Sequence, residues 1–164
     1  MKNYLKGIHH LGIAVRNIKK EAQAYVDSFG FIQETEIMHE PPQKVNVQFL
    51  LLGDYRIELI EPTGEQANIY RDTVPEGKTA FHHLCYWTDD LDGEIASLAA
   101  QGYELAATGT VAGSGATFAY VDTSPVLGHM TELLTYSDDI KGLFDMVAAA
   151  SIEWDGSDPK RPLG

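Results

Sequence analysis

The sequence predicts an α+β fold built from two β-α-β-β-β modules, and three observations carry that expectation. The phrase IHHLGIAVRNI at 8–18 returns as FHHLCYWTDDL at 81–91, and YRIELIEP at 55–62 returns as HMTELLTY at 129–136. Each half also places one helical pattern between a first strand-like run and three more. His10 and His83 lie 73 positions apart and Glu58 and Glu132 lie 74 apart, so the halves keep register across a whole module with a shift of one residue.

The first module covers about 7–61. Its opening apolar run ends near Val15, after which Ile18, Ala22, Tyr25, Val26 and Phe29 recur at helical spacing. Asn17 is placed to cap that helix and Gly30 to stop it. Strand-like runs follow at about 31–39, 44–52 and 55–61, divided by PPQ and by Gly53-Asp54, a pair suited to a two-residue hairpin. Residues 62–80 read as a linker. The second module, about 81–136, repeats the order with a run ending near Trp87 and a helix marked by Leu91, Ile95, Leu98 and Ala99 before Gly102. Its strands fall at about 103–109, 116–122 and 130–136, divided by AGSGA and TSPVLGH. Residues 1–136 therefore read as one domain and 137–164 as an amphipathic helix with a polar tail. Ile140, Leu143, Phe144 and Val147 give that helix more apolar surface than an exposed extension should carry. It is expected to pack on the outer sheet of its own chain or on a second copy.

Composition narrows the function. No apolar run approaches the roughly 20 residues of a membrane span, and the opening MKNYLKGIHH lacks the apolar segment of a signal peptide, so a cytoplasmic protein is expected. The single cysteine, Cys85, excludes an intrachain disulfide and a cysteine-based zinc cluster; a metal would have to sit on His, Asp or Glu. Twelve basic residues against 24 acidic ones, a net charge of −12, leave no broad cationic field for nucleic acid. Neither nucleic acid nor membrane is expected as a partner. A small molecule is.

Alternation along a strand lets each histidine doublet present only one ring to a given face. His10 shares its face with the small Gly12 and Ala14, while His9 goes with Leu11, Ile13 and Val15; His83 shares its face with Cys85 and Trp87, while His82 goes with Leu84 and Tyr86. The second histidine of each doublet is thus the candidate. Glu58 and Glu132 sit in otherwise apolar strands, where an unpaired carboxylate is costly to bury. One divalent ion on His10, Glu58, His83 and Glu132 would resolve all four. His9, His82 and His129 read as structural or supporting residues, and Cys85 as packing.

HHLGIAV, IELIEP, FHHLCYW and TELLTY together resemble the ligand pattern of the vicinal oxygen chelate superfamily, the glyoxalase, bleomycin resistance and dioxygenase proteins, over roughly 7–136. GIHHLGIAV, LLGDYRIELIEP and FHHLCYWTDDLD are most similar to its methylmalonyl-CoA epimerase-like and glyoxalase I-like members. The resemblance implies a mixed sheet curved into a cup, with one divalent ion (zinc, nickel, cobalt, manganese or iron) held on the concave side. It implies an isomerase, epimerase or lyase that removes a proton next to a metal-bound carbonyl, with Glu132 as base and Glu58 as the runner-up. The substrate would be an acyl-CoA or a glutathione-type thioester or hemithioacetal, and the assembly a homodimer. An extradiol-type dioxygenase and a non-catalytic small-molecule-binding protein are the alternatives. The first needs only two histidines and one carboxylate around iron, and the second needs none of the four. By alignment Gln48 stands where the epimerases can carry a second base, which favours one-base chemistry. Arg56, Lys44 and Lys78 are the cations available to the phosphates of coenzyme A.

Overall fold

The structure is a computed structural model that describes residues 5–74, 77–111 and 114–151. In chain order it contains β1 (Leu5–Ala14), α1 (Ile18–Phe29), β2 (Ile32–Gln33), β3 (Met38–Glu40), β4 (Val45–Leu52), β5 (Tyr55–Pro62), α2 (Ile69–Thr73), β6 (Ala80–Thr88), α3 (Leu91–Ala100), β7 (Glu104–Thr110), β8 (Thr117–Asp122), α4 (Ser124–Leu127), β9 (Met130–Thr135) and α5 (Asp138–Ser151). The hydrogen-bonded strand order is β2-β4-β5-β1-β6-β9-β8-β7, with β3 also paired to β4. This is the expected α+β class. Positions 112 and 113 of the AGSGA segment and the tail from 152 onward lie outside the described residues.

The chain forms two compact units. One joins Met1–Leu11 to His83–Leu143, and the other joins Gly12–His82 to Phe144–Gly164. In the first, β6 runs parallel to β9, and β9, β8 and β7 are antiparallel neighbours with α3 packed against them. In the second, β2 and β3 both pair antiparallel with β4, β4 pairs with β5, and α1 packs on β4 and β5.

Local chemistry explains the element ends. The Asn17 side chain accepts a hydrogen bond from the Lys20 amide, and Glu21 reaches back to the amides of Arg16 and Asn17, a reciprocal cap at the start of α1. Gly30 ends the helix at φ +75°, and its N–H returns to Tyr25 and Val26. The hairpin pairs Leu52 with Tyr55 around Gly53, which sits at φ +58°, a conformation its missing Cβ permits.

The expected strand at 31–39 is instead two short strands. The amides of Glu34 and Thr35 both turn to one acceptor, the Phe49 carbonyl, while the Thr35 hydroxyl accepts from the Phe49 amide. Two residues thus oppose one, and the ladder breaks. Glu34 is drawn inward by Arg56, whose Nε and Nη2 donate to its two carboxylate oxygens at 2.6 Å each. Helices α2 and α4 have no counterpart in the sequence-based expectation. Five and four residues are too short to show a helical period, although Asn68 caps α2 by accepting from the Arg71 amide.

Helix α5 packs within its own chain, one of the two places expected for it. Ile140 is buried, and Phe144 packs edge-on against Phe49 at 5.3 Å with the Arg56 guanidinium 4.6 Å from its ring. Phe49 is paired with Glu58 in the β4–β5 register, so Phe144 packs on the face of these strands that carries Glu58. Ile140 and Phe144 are thus used within the chain; the side chains of Leu143 and Val147 lie outside the described residues. Among the described residues no helix is long and apolar enough to cross a membrane.

Arg56 and Glu34 form a buried ion pair, with side-chain exposures of 12% and 0%. Arg56→Ala would leave the Glu34 carboxylate charged and uncompensated, a loss expected to cost about 3–5 kcal/mol, with Arg56→Lys intermediate because an ammonium cannot bind both oxygens in a fork. Chemical denaturation measures this, and an unchanged midpoint for Arg56→Ala would contradict it.

Candidate metal centre

Register decides which side chains meet in the first unit. On β6, His83, Cys85 and Trp87 alternate to one face; the parallel ladder pairs Cys85 with Glu132, and the antiparallel one pairs Glu132 with Tyr120. Glu132 and Tyr120 therefore project with His83, whose ring stands edge-on to Tyr120 at 5.1 Å. His10 arrives from β1. Its Nε2 lies 3.0 Å from His83 Nε2, and the Glu132 Oε2 lies 3.1 Å from each. All three are buried, with exposures of 3%, 0% and 6% for His10, His83 and Glu132.

Burial alone would push the Glu132 carboxyl up, but hydrogen bonds and charge interactions with the two imidazoles outweigh it and hold the group well below its ordinary 4.5. It is ionised at neutral pH. Cys85 goes the other way: burial first, and then the Glu132 charge, push its thiol far above the usual range, so it offers neither a nucleophile nor a ready thiolate ligand.

Three acceptor-capable atoms 3.0–3.1 Å apart form a triangle whose edges one cation satisfies together. Two donors at right angles, each about 2.1 Å from a common centre, are about 3.0 Å apart, so the triangle has the size of one face of a six-coordinate site. Neutral imidazole and carboxylate are also the donor types that zinc, nickel, cobalt, manganese and ferrous iron accept. These residues fit a divalent ion.

The remaining histidines hold other posts. The Nδ1 of His9 is 2.9 Å from that of His10, and its ring lies 4.3 Å from Trp87, so His9 supports the far side of the His10 ring. Nε2 of His82 is 3.2 Å from the Ile69 carbonyl and its ring packs tilted against Tyr70 at 4.8 Å, fastening β6 to α2. His129 Nδ1 donates to the Met130 carbonyl at 2.8 Å.

In the second unit, Glu58 is half-buried on β5, opposite Phe49. Gln48 is paired with Leu59 and therefore points to the other side of the ladder, where its amide donates to Gln33 and to the Thr35 carbonyl. It can neither supply nor withhold a base on the Glu58 side. Sequence reasoning misses Glu40: it pairs with Val45, which pairs with Pro62, and so shares the Glu58 face. Its only signal is its place just past the expected end of the strand at 31–39. Of the expected phosphate-binding cations, Arg56 is taken by Glu34 and Lys44 donates to Gln66.

Residues 9–120 match the family described as the Glyoxalase/Bleomycin resistance protein/Dioxygenase superfamily. The chain belongs to this superfamily. Among curated members, the mitochondrial methylmalonyl-CoA epimerase of Mus musculus is 28% identical over 91 residues, 56% of this chain and 51% of the relative. The ethylmalonyl-CoA/methylmalonyl-CoA epimerase of Cereibacter sphaeroides is 31% identical over 86 residues, 51% of this chain and 62% of the relative. The chain thus spans about half the length of the curated epimerases it matches. Among solved structures, the methylmalonyl-CoA epimerase of Mycobacterium tuberculosis superposes with a TM-score of 0.70 at 18% identity, covering 87% of this chain and 95% of that one. A variant of the Streptomyces coelicolor methylmalonyl-CoA epimerase, in complex with 2-nitronate-propionyl-CoA, gives 0.68 at 22%, covering 81% and 99%. These likenesses carry the superfamily fold.

Equilibrium dialysis against zinc should find most of the bound metal gone from His83→Ala and retained in His82→Ala. His9→Phe, which removes the partner of His10 Nδ1, should weaken the metal about 10- to 100-fold. Equal metal content in the His82 and His83 variants would refute the assignment.

Proposed function

We propose that the protein is an epimerase of the methylmalonyl-CoA type, exchanging the proton next to the carbonyl of an acyl-CoA thioester with the help of one divalent ion. The meeting of His10, His83 and Glu132 carries this reading. Glu58 is assigned as the fourth ligand because the repeat makes it the counterpart of Glu132, with residues 1–136 acting as a single domain. An ion bound there would supply a Lewis acid that lowers the cost of negative charge on a carbonyl oxygen. Glu132, held ionised, is the first base, and its burial keeps bulk water from competing for the proton. Glu40 replaces Gln48 as the candidate second acid-base group, since it shares the Glu58 face. With two carboxylates in play, the case against epimerisation that rested on Gln48 falls away.

A hemithioacetal lyase would use the same groups on a glutathione-type substrate. The two-histidine, one-carboxylate set of the first unit also favours a second reading, an iron-dependent ring-cleaving dioxygenase. Incubating metal-loaded protein in deuterated water with methylmalonyl-CoA, with a hemithioacetal and with a catechol under oxygen separates the three. The expected result is a one-dalton mass gain in the thioester alone. Glu132→Gln should cut that exchange by about 10²-fold or more, and Glu40→Gln should abolish inversion while one-sided exchange persists. Full exchange in Glu132→Gln would overturn the base assignment.

A further inference from the structure

The second unit holds a cavity of about 720 Å³, well within the range of small-ligand sites, and its charge runs against that of the whole protein. The chain carries two acidic residues for each basic one, yet Arg16, Arg71 and Lys78 line this cavity against a single carboxylate, Glu65. Among the described residues none of the three cations has a carboxylate partner, whereas Lys6 is matched with Asp89 and Arg56 with Glu34.

Two of the cations are positioned. Arg71 Nη2 donates to the carbonyls of Pro62 and Gly64, which fixes the guanidinium and leaves its Nε and Nη1 hydrogens for other acceptors. The backbone at Gly77, at φ +72°, runs close beside the Arg16 guanidinium: a Cβ added there would stand 3.7 Å from its central carbon. Behind the charges lies an apolar wall with Tyr70 and Val74 buried in it. Fixed cations in front of an aromatic and aliphatic wall suit a ligand that joins phosphate to a flat, weakly polar ring.

We propose that this cavity binds the phosphorylated nucleotide end of coenzyme A. The proposal rests on the thioester reading above and adds the place where the handle of that substrate is held. Bare phosphate shares part of this chemistry but none of the ring, so the two sources separate by affinity. Arg16 takes a phosphate in a forked hydrogen bond, Arg71 adds single hydrogen bonds from Nε and Nη1, Lys78 adds an unforked charge, and the apolar wall of Val15, Pro62 and Val74 meets the base.

The test is calorimetry on the full chain at low salt with adenosine 3′,5′-bisphosphate, coenzyme A and inorganic phosphate. Bisphosphate and coenzyme A should bind at least 10-fold more tightly than phosphate. Arg16→Ala and Arg71→Ala should each weaken them about 10-fold or more, and His83→Ala should change nothing. Lys78→Glu, at an exposed position that no fold contact depends on, should weaken both ligands as well and guards against a misfolded arginine variant. In turnover, these substitutions should raise KM for the thioester and spare kcat. If all three bind coenzyme A as the unmodified chain does, or if phosphate binds as tightly as the bisphosphate, the proposal is wrong. Nucleotide binding without thioester turnover would uphold the cavity and overturn the reaction.

Discussion

Two imidazole nitrogens and one carboxylate oxygen share a buried space about 3 Å across, and the strands around them are constrained by that crowding. Taking a carboxylate out of water costs several kcal/mol unless partners compensate it. Those partners exist only if β6, β8 and β9 keep the register that sets Cys85 and Tyr120 beside Glu132. A slip of one residue on β9 would bring Leu133 to the histidines and drive Glu132 to the opposite face. Polar chemistry and strand register are thus one condition. Apolar packing alone would tolerate the slip better, since Thr131 and Leu133 are as buried as Glu132.

The parts of this arrangement legible in the sequence are those governed by short periods. Alternation singles out His10 and His83 over their neighbours, and the repeat ties Glu58 to Glu132. Asn17, Gly30 and Gly53 announce their turns because caps and hairpins act through a few adjacent residues. What stays hidden depends on partners distant in the chain. The break after Gln33 comes from Arg56 drawing Glu34 inward, and the seat of Phe144 comes from Phe49. Gln48 misleads for a related reason: an alignment counts positions, whereas the face a strand residue occupies follows from its ladder, and Gln48 stands opposite Leu59.

Charge is distributed with similar economy. With a net charge of −12 over the whole chain, the three cations that line one cavity stand out against an anionic background. Arg56 illustrates the contrast. It has the same guanidinium as Arg16, but its fork is saturated by Glu34 and its face is covered by Phe144.

The His10–His83 contact joins groups 73 residues apart. Closing a flexible loop of that length costs on the order of 4 kcal/mol in chain entropy, a cost that local hairpins such as β4–β5 do not bear. The histidine pair is therefore a poor nucleus for folding and belongs among the last contacts to form, after both halves of the chain have their strands. A spectroscopic probe of these imidazoles would lag behind signals from backbone structure during refolding and would mark the step at which the amino-terminal strand joins the second half of the chain.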